Sequence, residues 1–169
     1  MLKIMSDLEP FFQDCYRRIH VREYAKLRKV SPPTASKILD SYYKENLLKK
    51  ELDRNYLTFF ANKESQLFIS LSRIYWQSEL EPLLSSLKRD LSLPIIILFG
   101  SLSKAETTPL SDIDLAIIAS PKKLSLQSFE KRYKRKIQVL FFDNSKEMIT
   151  SELRNNIVNG YILMGRVEL

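Results

Sequence analysis

The stretch from Ile95 to Ile118, IIILFGSLSKAETTPLSDIDLAII, constrains the chain most tightly. Ile95 to Phe99 predict a buried strand, Gly100-Ser101 a tight turn, and Asp112-Ile113-Asp114-Leu115 the opening of a second strand after a polar loop. Alternate strand residues point to opposite faces, so Asp112 and Asp114 project together while Ile113 and Leu115 turn the other way. Two carboxylates on one face repel and raise each other's pKa unless a cation lies between them. Oxygen ligands gathered at a strand start suit Mg2+, which binds through one or two carboxylates plus substrate phosphates. Gly100 lets the backbone come close to a ligand, and the amides after it can face a phosphate. Glycine turn, ten intervening residues (102 to 111) and Asp-x-Asp together predict a metal-triphosphate site. The plainer alternative makes Asp112 and Asp114 the solvated edge of a strand.

Phe99-Gly100-Ser101, Pro109 and Ser111-Asp112-Ile113-Asp114-Leu115 resemble the minimal nucleotidyltransferases of the DNA polymerase beta superfamily. The resemblance implies that Gly100 and Ser101 hold a nucleoside triphosphate, with Lys104 and Ser111 beside it, and that Asp112 and Asp114 bind Mg2+. The implied chemistry is an in-line displacement of pyrophosphate, helped by positioning and charge neutralisation. Two positions depart from the family pattern. Ala105 stands where a second glycine is common. Gln138, in the predicted strand Lys136 to Phe142, stands where the family has its third acid. A neutral amide hydrogen-bonds but is a poor ligand for a hard cation. Gln138 thus takes the general-base position without being able to act as a base, which bears on transfer more than on nucleotide binding.

Upstream, Leu8, Phe11, Phe12, Cys15 and Tyr16 give residues 7 to 18 a helical stripe. Val21 to Val30 predict a second helix, with His20 placed to cap it. Ser31-Pro32-Pro33 breaks that helix and opens a third, Thr34 to Lys44, whose inner stripe is Ala35, Ile38, Leu39 and Tyr42. Leu47 to Leu52 and Tyr56 to Asn62, around Asp53-Arg54-Asn55, predict a hairpin. Third helix plus hairpin resembles a winged helix-turn-helix DNA-binding domain covering residues 1 to 62. The resemblance implies double-stranded DNA as partner. Ser31, Thr34, Ser36 and Lys37 lie at the helix end that meets bases, and Lys44, Lys49, Lys50 and Arg54 are placed for phosphates. A protein-interaction module is the other use of such a fold.

Residues 63 to 91 predict a linking helical region, interrupted near Glu81-Pro82, that could also form a homodimer seam. Residues 92 to 169 form the expected nucleotidyltransferase-like domain. The basic run Lys131-Arg132-Tyr133-Lys134-Arg135-Lys136 reads as a solvated face, or, beside a nucleotide site, as a holder of phosphates or of the acceptor. Asp143-Asn144-Ser145 signals a last helix from Lys146 to about Ile157.

The fold class expected is therefore α+β: an N-terminal winged helix-turn-helix domain plus a C-terminal minimal nucleotidyltransferase α/β domain with a small mixed sheet. This organisation resembles a group of archaeal proteins, and Phe129-Glu130-Lys131 and Asn155 to Gly160 add to the match. The expected function is a DNA-binding regulator whose second domain binds Mg2+ and a nucleoside triphosphate. One alternative is an active, antitoxin-like nucleotidyltransferase that modifies a protein acceptor or small molecule. Another is a DNA-binding protein with a degenerate, ligand-free second domain.

Charge and composition fit these readings. The net charge is +7, with 12 Lys and Arg against 8 Asp and Glu up to residue 62 and 15 against 12 beyond it, which favours polyanionic partners. Cys15 is the single cysteine, so no internal disulfide can form. The longest apolar run, Pro94 to Phe99, is far short of the roughly 20 residues a bilayer span requires. MLKIMSDLEP has no apolar signal core, so the expectation is a cytoplasmic protein without a membrane partner.

Overall fold

In the computed structural model of the chain, residues 2–53, 56–144 and 153–167 are described. Arg54 and the start of the expected last helix, residues 145 to 152, lie outside them. The chain forms two compact units, one of Met1–Tyr75 with Ala105–Pro109, the other of Trp76–Lys104 with Leu110–Leu169.

In the first unit, α1 (Lys3–Gln13), β1 (Ile19–His20), α2 (Val21–Arg28), α3 (Pro32–Lys44), β2 (Leu48–Asp53) and β3 (Tyr56–Ala61) follow in order. The helix α1 begins four residues earlier than its apolar stripe suggested and ends before Cys15, which is buried in the turn beyond. The Cys15 amide donates to the Thr107 carbonyl at 2.8 Å, and burial pushes the thiol up to about 11. His20 caps α2 by accepting from the Glu23 amide at 3.0 Å. Ser31 caps α3, with Pro32 in the first turn, where its missing N–H costs nothing. The three strands form an antiparallel sheet in the order β1-β3-β2. Leu8, Phe11, Phe12, Ile19, Tyr24, Leu39 and Phe59 fill the core. Within it the buried Asp7 is satisfied twice: its carbonyl accepts from the Tyr24 hydroxyl and its carboxylate from the Tyr42 hydroxyl, both at 2.9 Å.

The long helix α4 (Gln66–Asp90) passes from one unit to the next between Tyr75 and Trp76. It is unbroken, contrary to the interruption expected at Glu81-Pro82. A proline inside a helix forfeits one backbone bond and crowds the preceding turn. Here Leu80, Leu83, Leu84 and Leu87 are buried on both sides of Pro82, and their burial outweighs that local cost.

In the second unit, β4 (Ile95–Phe99), α5 (Gly100–Ser103), β5 (Ile113–Ile118), α6 (Gln127–Tyr133), β6 (Ile137–Phe142), α7 (Arg154–Val158) and β7 (Tyr161–Met164) build one mixed sheet in the order β6-β5-β4-β7. β4 runs antiparallel to β5 and β7, and β5 runs parallel to β6. Ile97, Phe99, Ala116, Ile118, Phe142 and Ile157 form a core cluster on one face, while Ile96, Leu98, Leu115 and Ile117 are buried on the other. Burial of both faces explains why β4 reads as an uninterrupted apolar run rather than an alternating one. The start of the second half of α4 is tied to β7 through Gln77, which accepts from the Tyr161 hydroxyl at 2.9 Å. Among the described residues no helix is long and apolar enough to cross a membrane.

Candidate nucleotide and metal site

The site grows from the pairing of β4 with β5. Antiparallel register sets Phe99 opposite Asp114, so the chain turns at Gly100 directly beside that carboxylate. Gly100 has φ +70, and a Cβ built on it would lie 2.2 Å from Asp114 Oδ2. Two independent constraints therefore require glycine: the left-handed backbone and the lack of room. Behind the turn, the buried Ser103 hydroxyl donates to the Gly100 carbonyl at 2.9 Å and holds the short α5 in place.

Asp112 and Asp114 flank Ile113, as the alternation requires. Asp114 shares a sheet face with Ala116 and Ile118, at the rim of the core cluster. Burial there, together with the Asp112 charge, raises the Asp114 carboxyl above its ordinary range. Parallel pairing of β5 with β6 then sets Gln138 beside Asp114, in the position expected for a third acid. The Gln138 amide Nε2 donates to Asp112 Oδ2 at 2.6 Å. One carboxylate is thus engaged by a neutral donor, while its neighbour is half-buried.

The remaining residues expected at this site fall around it. Ser101 opens α5. Lys104, which follows α5, extends its Nζ to Asn156 Oδ1 at 2.9 Å. Ser111 presents its carbonyl to the Arg135 guanidinium at 2.6 Å. Sequence reasoning placed Arg135 in a solvated run, yet it is only 8% exposed and lies over the Trp76 ring at 5.3 Å. Charge patterning gave no sign of this. The signal lies in the turn, where Lys134 caps α6 in the left-handed conformation and so redirects its neighbour inward.

In the first unit the described residues expected to meet DNA lie at the cap of α3, along α3 and on β2. Ser31 Oγ accepts from the Thr34 amide at 3.4 Å and shares a 2.8 Å hydrogen bond with Thr34 Oγ1. Ser36 donates to Asp40 at 3.3 Å, while Lys37 and Lys44 are exposed. Lys49 pairs with Glu64 at 2.7 Å and Lys50 with Asp40 at 3.2 Å, the latter ammonium also lying over the Tyr43 ring.

Residues 81–166, which hold the whole of the sheet and both aspartates, match the polymerase beta nucleotidyltransferase family. The chain belongs to that family. No curated protein and no solved structure matches it. Nucleotidyltransferases of this type generally use divalent metals. Two carboxylates, one of them raised by burial and a like charge, are a donor set whose repulsion a cation would relieve, and they fit a Mg2+ completed by phosphate oxygens and water. The same residues do not offer a third acid. Among the described residues no group of three or more His, Cys, Asp or Glu could hold a metal ion.

The raised Asp114 carboxyl makes a signed prediction for the metal-free protein. A folded-state pKa above the unfolded one means that the folded chain holds the proton more tightly. The stability this confers is complete below the ordinary Asp value of about 4 and is lost as pH rises through the raised value. Urea denaturation across the acidic range should therefore show a fall that Asp114→Asn removes and Asp112→Asn reduces. An unchanged profile in Asp114→Asn would contradict the assignment.

Proposed function

We propose that the nucleotidyltransferase domain binds a magnesium nucleoside triphosphate. Gly100 and Ser101 take the triphosphate, Lys104 and Ser111 stand beside it, and Asp112 and Asp114 hold the metal. The observation that carries this reading is the approach of Gly100 to Asp114, which brings a bare turn of backbone against a half-buried carboxylate next to a second one. When bound, Mg2+ would neutralise charge on the triphosphate. The chain's own residues then set a limit on transfer. Gln138 can donate to Asp112 but cannot take a proton from an acceptor hydroxyl, so a base for that proton must come from elsewhere. Nucleotide binding is the primary activity in this reading, and transfer of a nucleoside monophosphate to an acceptor is secondary to it.

Thermal unfolding with each nucleoside triphosphate, with and without Mg2+, tests the proposal. Specific binding raises apparent stability by about 2.7 kcal/mol at a hundredfold excess over the dissociation constant. The expected result is a metal-dependent rise with at least one nucleotide that Asp112→Ala plus Asp114→Ala abolishes. No rise with any nucleotide would leave a degenerate domain.

A second reading concerns the first unit. Its helix order, its tight α2-α3 connection and its β1-β3-β2 sheet support a winged helix-turn-helix that binds double-stranded DNA as a regulator. In this reading the start of α3, with Ser31, Thr34, Ser36 and Lys37, meets base edges, and Lys44, Lys49, Lys50 and Arg54 meet phosphates. Ser31 and Thr34 spend hydroxyl contacts on capping, which leaves Lys37 best placed for a base. The Lys49 and Lys50 ion pairs are at the surface, where such pairs contribute little, so phosphates can displace their partners. Substituting Lys44, Lys49 and Lys50 by Gln should weaken duplex binding and flatten its salt dependence by about 0.9 in slope for each phosphate that is no longer neutralised. An unchanged slope would remove the hairpin from the interface.

A further inference from the structure

The turn between α6 and β6 carries more positive charge than the metal-triphosphate site uses, and it stands at the same end of the sheet. Because β5 and β6 are parallel, the residues before each strand are neighbours, and the Ile113 amide donates to the Lys136 carbonyl at 2.8 Å. Gln127, Glu130, Lys131, Lys134, Arg135 and Lys136 line a cavity there that is wide open to solvent. Among the described residues Lys131, Lys134 and Lys136 form no ion pair. Glu130, the one acid in the lining, has an oxygen committed to the Ile137 amide at 3.1 Å. Arg135 does not compete for a ligand in the same way. Its buried guanidinium grips the Ser111 carbonyl, so the wall of the cavity is fastened to the residue before Asp112.

We propose that this cavity binds the phosphate group of a small phosphorylated acceptor. The location follows from the layout of the metal site, and this step rests on the magnesium nucleotide reading. With the triphosphate on the Gly100 side of the aspartates, the space on the Gln138 side is left for a second substrate, and Lys136, in the cavity lining, lies two residues before Gln138, next to the start of the same strand. Its charge selects an anion, and three ammonium groups suit a phosphate monoester as point-charge partners.

Amide-resolved NMR of the full chain, titrated with inorganic phosphate and with a hexose phosphate in the absence of nucleotide, tests the cavity independently of the triphosphate site. Saturable shifts are expected at residues 131–137 rather than at 100–103. Lys131→Gln, Lys134→Gln and Lys136→Gln together should weaken binding by roughly ten- to a hundredfold. A charge-matched control, Lys88→Gln, Arg89→Gln and Lys123→Gln, should leave it unchanged. Absence of saturation, equal weakening in the control, or shifts confined to 100–103 would overturn the proposal without touching nucleotide binding. A short single-stranded RNA that moves the same amides with an affinity more than about tenfold above the hexose phosphate would overturn it in favour of a nucleic-acid acceptor.

Discussion

The second unit depends on the close approach of Gly100 to the Asp114 carboxylate. It follows from the register of β4 against β5, which sets Phe99 opposite Asp114. A side chain at position 100 would be strained at φ +70 and would have to displace the Asp114 carboxylate. The same layout also sets the electrostatics, because a carboxylate held at the rim of an apolar cluster beside a second carboxylate is destabilised in its charged form. A site that holds two like charges together without a cation is poised to gain from binding one.

Parallel pairing of β5 and β6 adds the next layer. Register alone puts residue 138 beside Asp114 and within reach of Asp112, so its side chain decides what the site can do. With glutamine the contact is a hydrogen bond to Asp112 rather than a third metal ligand. The scaffold of a nucleotidyltransferase is present, and the proton acceptor at this position is not. The same pairing brings the α6-β6 turn to the end of the sheet that carries the aspartates, where Arg135 joins the two structurally by holding the Ser111 carbonyl.

Much of this was legible in the sequence, and for identifiable reasons. The apolar run Ile95 to Phe99 and the alternation from Asp112 to Leu115 follow from strand periodicity alone. His20 announced the start of α2 through its capping chemistry, and the prolines after Ser31 announced that of α3 through their fixed backbone angle. Gln138 was picked out by counting along a strand, and the register sets it beside Asp114. The parts that could not be read depend on tertiary context. Pro82 marks a break by propensity, but buried leucines on either side keep α4 whole. Nothing in Ala105–Pro109 indicates that it belongs with the first unit, because the Cys15 amide that binds Thr107 is remote in sequence. In the basic run, five cations look alike until a left-handed turn at Lys134 sends Arg135 inward.

The most direct test of the central claim is the calorimetric affinity for a nucleoside triphosphate in the presence of Mg2+, comparing wild type with Gly100→Ala. A methyl group at position 100 must displace the Asp114 carboxylate, so the variant should stay folded, as judged by circular dichroism, and lose nucleotide affinity by at least about a hundredfold, which is about 2.7 kcal/mol. Equal affinity in the two proteins would mean that the nucleotide binds elsewhere and that the close approach of Gly100 to Asp114 serves only the fold.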